Sequence, residues 1–469
     1  MASIRFGTDG WRAIIAKDYT VENVKRVSEA TCQWMLKKRF SSVVIGYDCR
    51  FGGKMFSEVV ASVFGNYNIK VFIDKNFVST PMVSLGVTHF KAGLGVVITA
   101  SHNPASYNGY KLKSSFGGPT IPSEISEIEA IIPESSIGSM PKIDELVEAG
   151  LVEYVDLENI YLDHVKSSFD LDLIKNSSIE LAYDAMYGAG QNAVRKLFPD
   201  AHLLHCEHNP SFHDQAPEPI HRNLGELSEL IAKNPNINLG LANDGDADRI
   251  GLYDEDGEFV DSHHILLLLL YYLKEYKQYD GKVIITFSVT SKMQQLAEQY
   301  GLEVEVTKIG FKYIAEIMIH EDVLVGGEES GGLAVKGHIP ERDGIWIGLM
   351  IMEFMAKTNK SLKELIQEVY AKVGPFKCDR DDLHITEALK QNILKRCKND
   401  EIHRIGGQDI IRKETIDGYK YFLSEDAWVM VRPSGTEPIL RVYAQGKDHQ
   451  EVRQLLDAAH VALQEGLDA

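Results

Sequence analysis

The amino-acid sequence predicts an α/β protein made of three similar mixed α/β domains and a smaller C-terminal α+β domain. Two observations carry this prediction. Short β-branched runs ended by turn residues alternate with segments of helical periodicity over most of the chain, which is the signature of α/β domains. One arrangement also occurs three times: a strand, a helix, a second strand, then a third strand that empties into a polar, glycine-rich loop.

In the first copy the strands are Val43 to Tyr47, Val71 to Asp74 and Leu94 to Thr99, and the loop opens at Ser101. In the second they are Ile179 to Tyr183, Ala201 to His205 and Ile237 to Ala242, with the loop opening at Asp244. In the third they are Lys282 to Phe287, Glu303 to Thr307 and Val323 to Val325, with the loop opening at Gly326. Open α/β sheets bind ligands beyond the carboxyl ends of their strands, so these loops are candidate walls of one site. After residue 370 the texture changes. Gly374-Pro375 is followed by a polar helix over Glu387 to Lys398, strands at Tyr419 to Leu423, Ala427 to Arg432 and Ile439 to Gln445, and a closing helix. The domains expected are 1–153, 154–254, 255–370 and 371–469.

At 469 residues the chain is long enough for about three domains, and 44% hydrophobic with 25% charged residues is an ordered, globular composition. A formal charge of −19 excludes nucleic acid and acidic membrane surfaces as expected partners, because neutralising phosphates needs clustered Lys and Arg. Five cysteines, odd in number and without a C-x-x-C pair, read as reduced thiols in a cytoplasmic protein. The segment Met1 to Gly7 has no apolar stretch of the secretory kind. The most apolar run, Ile265 to Leu273, is far shorter than the ~20 residues that span a bilayer and reads as a buried helix.

Each loop carries chemistry. Thr99-Ala100-Ser101-His102-Asn103-Pro104 places a hydroxyl where the chain must turn after an apolar strand, and Asn108-Gly109-Tyr110-Lys111 adds a tight turn and a cation. Alone the serine segment reads first as a surface turn, and His102 is undecided. Asp244-Gly245-Asp246-Ala247-Asp248-Arg249 crowds carboxylates at alternate positions, an arrangement that a hard cation such as Mg²⁺ relieves. An EF-hand is excluded, because Arg249 stands at the sixth position where that loop needs glycine. Gly326 to Gly332 joins flexible backbone to Glu328, Glu329 and Ser330, an inventory suited to sugar hydroxyls. The polar turn Gly337 to Gly344 can line the same space, with His338 a candidate proton carrier. Arg432-Pro433-Ser434-Gly435-Thr436 offers a guanidinium, hydroxyls and exposed backbone N–H groups, the parts of a phosphate cradle.

No Walker A sequence is present. A competing reading, a nucleotide-dependent oxidoreductase, rests on Gly188-Ala189-Gly190 after a strand with Glu207 closing the next. It is weakened by Ala185, Met186 and Tyr187, which intervene before the first glycine.

Taken in order, Thr99 to Lys111, Asp244 to Arg249, Gly327 to Gly331 and Arg432 to Thr436 resemble the α-D-phosphohexomutase family, which includes phosphoglucomutases and phosphomannomutases. Phe6 to Arg12 is similar to the family's opening segment, although Ala13 stands where a glycine often follows. The resemblance implies four domains around a central cleft, with Ser101 as a phosphoserine and Mg²⁺ held by Asp244, Asp246, Asp248 and the phosphoserine. It implies that Arg12 and Arg249 flank that site and that His102 and Lys111 move protons or orient phosphate. Glu328 and Ser330 match sugar contacts, with Gly310 and His338 as further candidates on that side. Arg432, Ser434, Gly435 and Thr436 match a distal phosphate loop. The implied reaction interconverts hexose 1-phosphate and hexose 6-phosphate, with glucose 1,6-bisphosphate as intermediate and activator, in a monomer or homodimer. Dual-specificity relatives often carry histidines where this chain has Gly332 and Phe311, so those contacts do not carry over. The Glu-Glu-Ser form of the sugar loop resembles phosphoglucomutases and points to glucose phosphates, with mannose and glucosamine phosphates as alternatives.

Overall fold

The computed structural model describes residues 4–7, 9–433 and 439–464. In the first sheet, Ser42–Tyr47 is central and pairs in parallel with Lys70–Asp74 on one side and Leu94–Ile98 on the other. In the second, Leu181–Asp184 lies between His202–Leu204 and Leu239–Asn243, again parallel to both. In the third, Lys282–Thr286 lies between Val304–Thr307 and Val323–Gly327. The central strands read as unbroken apolar runs such as Val43, Val44 and Ile45, all fully buried, because both faces of a parallel sheet are covered.

In each sheet the third strand is followed by a reversal and an antiparallel return: Tyr107–Ser114, Ile250–Tyr253 and Leu333–Val335. The loops at Ser101, Asp244 and Glu328 therefore occupy equivalent corners of three equivalent sheets. The first and third return strands escape a reading by pattern. Tyr107–Ser114 carries Lys111 and Lys113 in a strand that is almost wholly buried, where an apolar run is the rule, and Leu333–Val335 is only three residues long.

The fourth sheet is antiparallel, ordered Lys377–His384, Ile439–Gly446, Trp428–Pro433, Tyr419–Phe422 and Arg412–Glu414. Helices Glu387–Lys398 and His449–Gln464 cover it, packing Ile393, Leu455 and Leu456 on Val429, Val431 and Val442. The run at Ile265 is a buried helix as expected, Ser262–Tyr271, with every residue buried.

One continuous apolar cluster joins the first three sheets, through residues such as Val83, Leu157, Tyr183, Leu241, Ile285 and Ile347. The corner loops are thus fixed relative to one another. The fourth sheet attaches to the third through Phe287, Phe422, Trp428, Met430 and Tyr443. All five cysteines are free, and no helix among the described residues is long and apolar enough to cross a membrane.

Candidate active site

Ser101 sits at the end of an apolar strand with φ of 53°, a left-handed conformation that a non-glycine residue holds only when its surroundings enforce it. The enforcement is visible. The Ser101 N–H donates to Thr99 Oγ1 at 2.9 Å, and the buried Arg50 guanidinium donates to the carbonyls of Ser101, Asn103, Pro104 and Tyr107. Arg50 is itself anchored by Asp48, whose Oδ2 lies 3.2 Å from Nε and accepts from Thr99 Oγ1 at 2.5 Å. The serine hydroxyl then donates to Asp244 Oδ2 at 2.6 Å, with His102 Nδ1 3.3 Å away.

The acidic loop closes on itself, because Asp244 Oδ1 accepts from the N–H groups of Asp248 and Arg249, each at 3.0 Å. Gly245 is needed where this loop meets the serine turn: a Cβ there would stand 2.5 Å from the Ser101 carbonyl oxygen. Asp244, Asp246 and Asp248 are fully buried, and ligand oxygens from the three lie within 4.8 Å of one another. Lys111 Nζ donates to Asp246 Oδ2 at 2.7 Å and Asp248 Oδ2 at 2.9 Å, and pairs with Asp9 at 2.7 Å. Thr80 Oγ1 also donates to Asp246, and Arg342 pairs with Asp9 and, at 2.7 Å, with Asp248.

These contacts use Oδ2 of Asp246 and Asp248 and leave both Oδ1 atoms buried without a protein partner. A buried acceptor left in that state costs about 1–3 kcal/mol, so oxygens converging in this way fit a hard, oxygen-seeking cation such as Mg²⁺. The charge states agree. Burial and the neighbouring Asp246 and Asp248 hold the Asp244 carboxyl well above its ordinary range. Burial acts the same way on Asp246, but Lys111 overcomes it and holds that carboxyl below its ordinary range. Lys111 is held above its ordinary value despite burial by Asp246, Asp248 and Asp9, and stays a cation. Burial and the cations Arg249, Arg12, Lys111 and Arg50 keep His102 well below its ordinary value, so it is a neutral imidazole.

Arg12 donates to Asn103 Oδ1 at 2.6 Å, on the serine loop, and Arg249 faces Glu218 at 3.6 Å. The Ile250 N–H donates to the Gly331 carbonyl at 3.2 Å and Arg249 bridges Gly332, joining the acidic loop to the third loop. There Glu328 is buried, and burial pushes its carboxyl up to about 7 against the pull of Arg342 and Arg249. Ser330 is half-buried. Glu329 turns the other way, to Ser288 Oγ at 3.0 Å and to Arg380 of the fourth sheet at 3.3 Å. Gly310, with φ of 137°, precedes helix Phe311–Met318. Asp417 accepts from the Ile309 N–H at 3.0 Å and from Arg432 Nε at 2.9 Å, so the Gly310 turn and Arg432 are tied together.

His338 does not join this group. Its ring stacks on Trp346 with centroids 3.8 Å apart, and its nitrogens meet Asp343 at 2.9 Å and His164 at 3.2 Å. Ser434, Gly435 and Thr436 lie outside the described residues. The Gly188 turn packs on the acidic loop: the Ala189 N–H donates to the Gly245 carbonyl at 3.0 Å, and a Cβ at Gly188 would crowd the carbonyls of Asp244 and Gly245. A pyrophosphate has no access to that face of the turn.

Sequence reasoning singled out none of Asp48, Arg50, Asp9, Thr80 and Arg342, although Asp9 and Arg342 lie in the marked segments Phe6 to Arg12 and Gly337 to Gly344. For Asp48 and Arg50 a signal existed, since they follow the apolar strand Ser42–Tyr47 as the loop residues follow theirs. Asp9 and Arg342 meet across 333 positions of sequence, which no local pattern reveals.

Three like α/β units and a fourth antiparallel one are the architecture of the phosphohexomutases, isomerases that shift phosphate within a hexose. Descriptions of phosphoglucomutase/phosphomannomutase α/β/α domains I, II and III match residues 3–137, 159–257 and 261–373, and that of the C-terminal domain matches 388–460. A phosphoglucomutase/phosphomannomutase of Thermococcus kodakarensis is 30% identical, over 98% of this chain and 99% of its own. A phosphoglucosamine/phosphogalactosamine mutase of Sulfurisphaera tokodaii is 30% identical, over 96% of this chain and 97% of its own. A crystal structure described as a phosphomannomutase from Thermus thermophilus aligns with a TM-score of 0.87 and 34% identity, covering 99% of this chain and 100% of that one. The chain belongs to the phosphoglucomutase/phosphomannomutase family. This membership displaces the oxidoreductase reading.

Proposed function

We propose that this protein interconverts glucose 1-phosphate and glucose 6-phosphate, with Ser101 as the group that carries phosphate between two half-reactions. The observation that carries the reading is the Ser101 hydroxyl, buried and 2.6 Å from Asp244, beside carboxylate oxygens that have no protein partner. Asp244, Asp246 and Asp248 would hold Mg²⁺ together with the serine. When bound, the ion supplies a compact positive charge that offsets the charge spread over a transferring phosphoryl group.

In the proposed reaction the phosphoryl group leaves phosphorylated Ser101 Oγ for a hydroxyl of the hexose monophosphate. The Oγ–P bond breaks as the sugar O–P bond forms. Neutral His102, with Nδ1 3.3 Å from Oγ, takes the proton from the sugar hydroxyl and delivers it to Oγ as the phosphoryl group leaves. The resulting glucose 1,6-bisphosphate turns over and gives its other phosphate back to Oγ by the reverse step. Lys111, always charged, acts through its field and not as a base, and Arg12 and Arg249 flank the phosphate. Glu328 and Ser330 are read as sugar contacts beside Gly310, and Arg432 with Ser434, Gly435 and Thr436 as the cradle for the phosphate not in transfer.

The Glu-Glu-Ser sugar loop favours glucose. The glucosamine/galactosamine mutase among the relatives favours glucosamine phosphate as the second substrate to test. Replacing Ser101 with Ala, in the presence of Mg²⁺ and a trace of glucose 1,6-bisphosphate, should remove turnover and the acid-stable phosphate label on the protein. Near-wild-type turnover by that variant overturns the assignment of Ser101.

A further inference from the structure

Arg342 is 4% exposed and comes from the turn before helix Gly344–Thr358, far in sequence from Asp9 and Asp248, the two carboxylates its guanidinium reaches. Its backbone is fixed. The neighbouring Glu341, fully buried, pairs with Lys113 at 2.6 Å, accepts from Ser84 Oγ at 3.0 Å and accepts from the Arg342 N–H at 3.1 Å. Its guanidinium spans two units of the protein, pairing with Asp9 of the first and with Asp248 of the acidic loop at 2.7 Å. The guanidinium lies 5.5 Å from the centre of the buried Phe311 ring, within cation–π range.

Between these ends the alkyl stem crosses Gly332. A Cβ built on Gly332 would collide with Arg342 Cδ, stand 3.2 Å from Cγ and stand 3.3 Å from Glu328 Oε2. The φ of Gly332 is not in the left-handed region, so the backbone there accepts any residue and only the space is denied. The stem cannot swing aside cheaply, because both ends of the side chain are held. The acidic loop and the sugar loop are thus braced by one residue at the point where they meet.

We propose that Arg342 is a positioning residue: it holds the Asp248 carboxylate in place for the acidic loop and presses the Gly332 end of the sugar loop into register, and Gly332 is bare because the Arg342 stem fills its side-chain space. The proposal rests on the phosphohexomutase reading for its catalytic consequence, but its structural part stands alone. Both carboxylates are met by one nitrogen, Nη2, and the ammonium of the shorter lysine stem does not reach that position, so Lys keeps the charge and loses the brace.

The test is a cycle of R342A, R342K, G332A and the double variant G332A/R342A. Each is read for Mg²⁺ affinity by calorimetry, for thermal midpoint, and for kcat and KM separately. Removing such an outer support weakens metal affinity or activity by roughly 10–100-fold, and here the loss should fall on kcat and Mg²⁺ affinity with KM for hexose phosphate within about threefold. R342K should recover only part of it. G332A should behave like R342A, and the double variant should be no worse than R342A, because truncating the stem makes room for the new methyl. Losses that multiply in the double variant, or an R342A with wild-type Mg²⁺ affinity and kcat, overturn the proposal. If R342A does not fold, R342K decides, and wild-type Mg²⁺ affinity and kcat in that variant overturn it. If the wild-type protein turns over no hexose phosphate, the functional reading fails, while the Mg²⁺ and thermal arms still judge the brace.

Discussion

Lys111→Met removes the cation at the centre of the acid cluster while keeping its volume. In the wild-type protein the ammonium is fully buried and touches three carboxylates, those of Asp9, Asp246 and Asp248. After the substitution Asp9 and Asp248 keep Arg342, but Asp246 keeps only the Thr80 hydroxyl. One buried carboxylate therefore loses its ion pair, and breaking a buried pair in this way costs about 3–5 kcal/mol. The pH dependence follows from the carboxylate that Lys111 controls. The Asp246 pKa is depressed in the folded state, so its stabilising contribution is present above the ordinary carboxylate pKa and is lost as pH falls through the depressed value. K111M lacks that contribution, so the gap between the two proteins should be widest at neutral pH and should narrow on acidification below about pH 4. Added Mg²⁺ should stabilise K111M more than wild type, because the positive charge of the ammonium no longer opposes a cation at Asp246 and Asp248. Urea unfolding of EDTA-treated protein, followed by far-UV circular dichroism, measures the first two effects, and the same titration with Mg²⁺ restored measures the third. A loss below about 1 kcal/mol at neutral pH, smaller than the cost of one stranded acceptor, would mean that Lys111 does not hold Asp246 ionised, and so would a gap that does not change with pH.

Arg50→Ala should lower stability by about 3 kcal/mol or more and kcat by at least an order of magnitude, since Asp48 loses its buried partner and the serine turn loses the donor that serves four carbonyls. Denaturant unfolding and steady-state kinetics check it. Glu328→Gln should abolish an inflection near pH 7 in kcat/KM, because burial places the Glu328 titration at about 7 and the ionised form is the better acceptor for sugar hydroxyls. In wild type the value should rise with pH through that region, beyond the change shared by both proteins. Lys420→Met removes an ammonium that donates to the carbonyls of Phe287 and Val289 across the junction of the third and fourth sheets. Burial lowers its pKa to about 7, so the unfolded chain binds more protons between about pH 7 and 10, and wild-type stability should rise with pH in that window. The slope should be smaller in K420M when melting is followed from pH 7 to pH 9.

The sequence disclosed the fold where burial is simple. Ser42–Tyr47 and Lys282–Thr286 are covered on both faces and read as apolar runs, and helix Glu387–Lys398 begins at the Thr386 cap and ends in a basic turn, with the same limits in both readings. It disclosed the serine, the acids and the sugar loop because each follows such a strand. Tyr107–Ser114 was hidden because its buried lysines answer carboxylates of other segments, Lys111 those of Asp246 and Asp248 and Lys113 that of Glu341. Arg342 was hidden for the same reason, since its partners are set by the packing of three units and not by spacing. His338 stood out as a candidate proton carrier in the polar turn Gly337 to Gly344, yet its ring is committed to Trp346, Asp343 and His164. A histidine's chemistry depends on what its two nitrogens face, and sequence alone does not supply that.

The most direct measurement is conversion of ¹³C-labelled hexose 1-phosphates by the purified protein with Mg²⁺ and a trace of the matching 1,6-bisphosphate, followed by NMR. Hexose 6-phosphate should form from glucose 1-phosphate at the highest kcat/KM of a panel that includes mannose and glucosamine phosphates, and none should form after EDTA or in S101A. No 6-phosphate from any member of the panel would contradict the proposed activity.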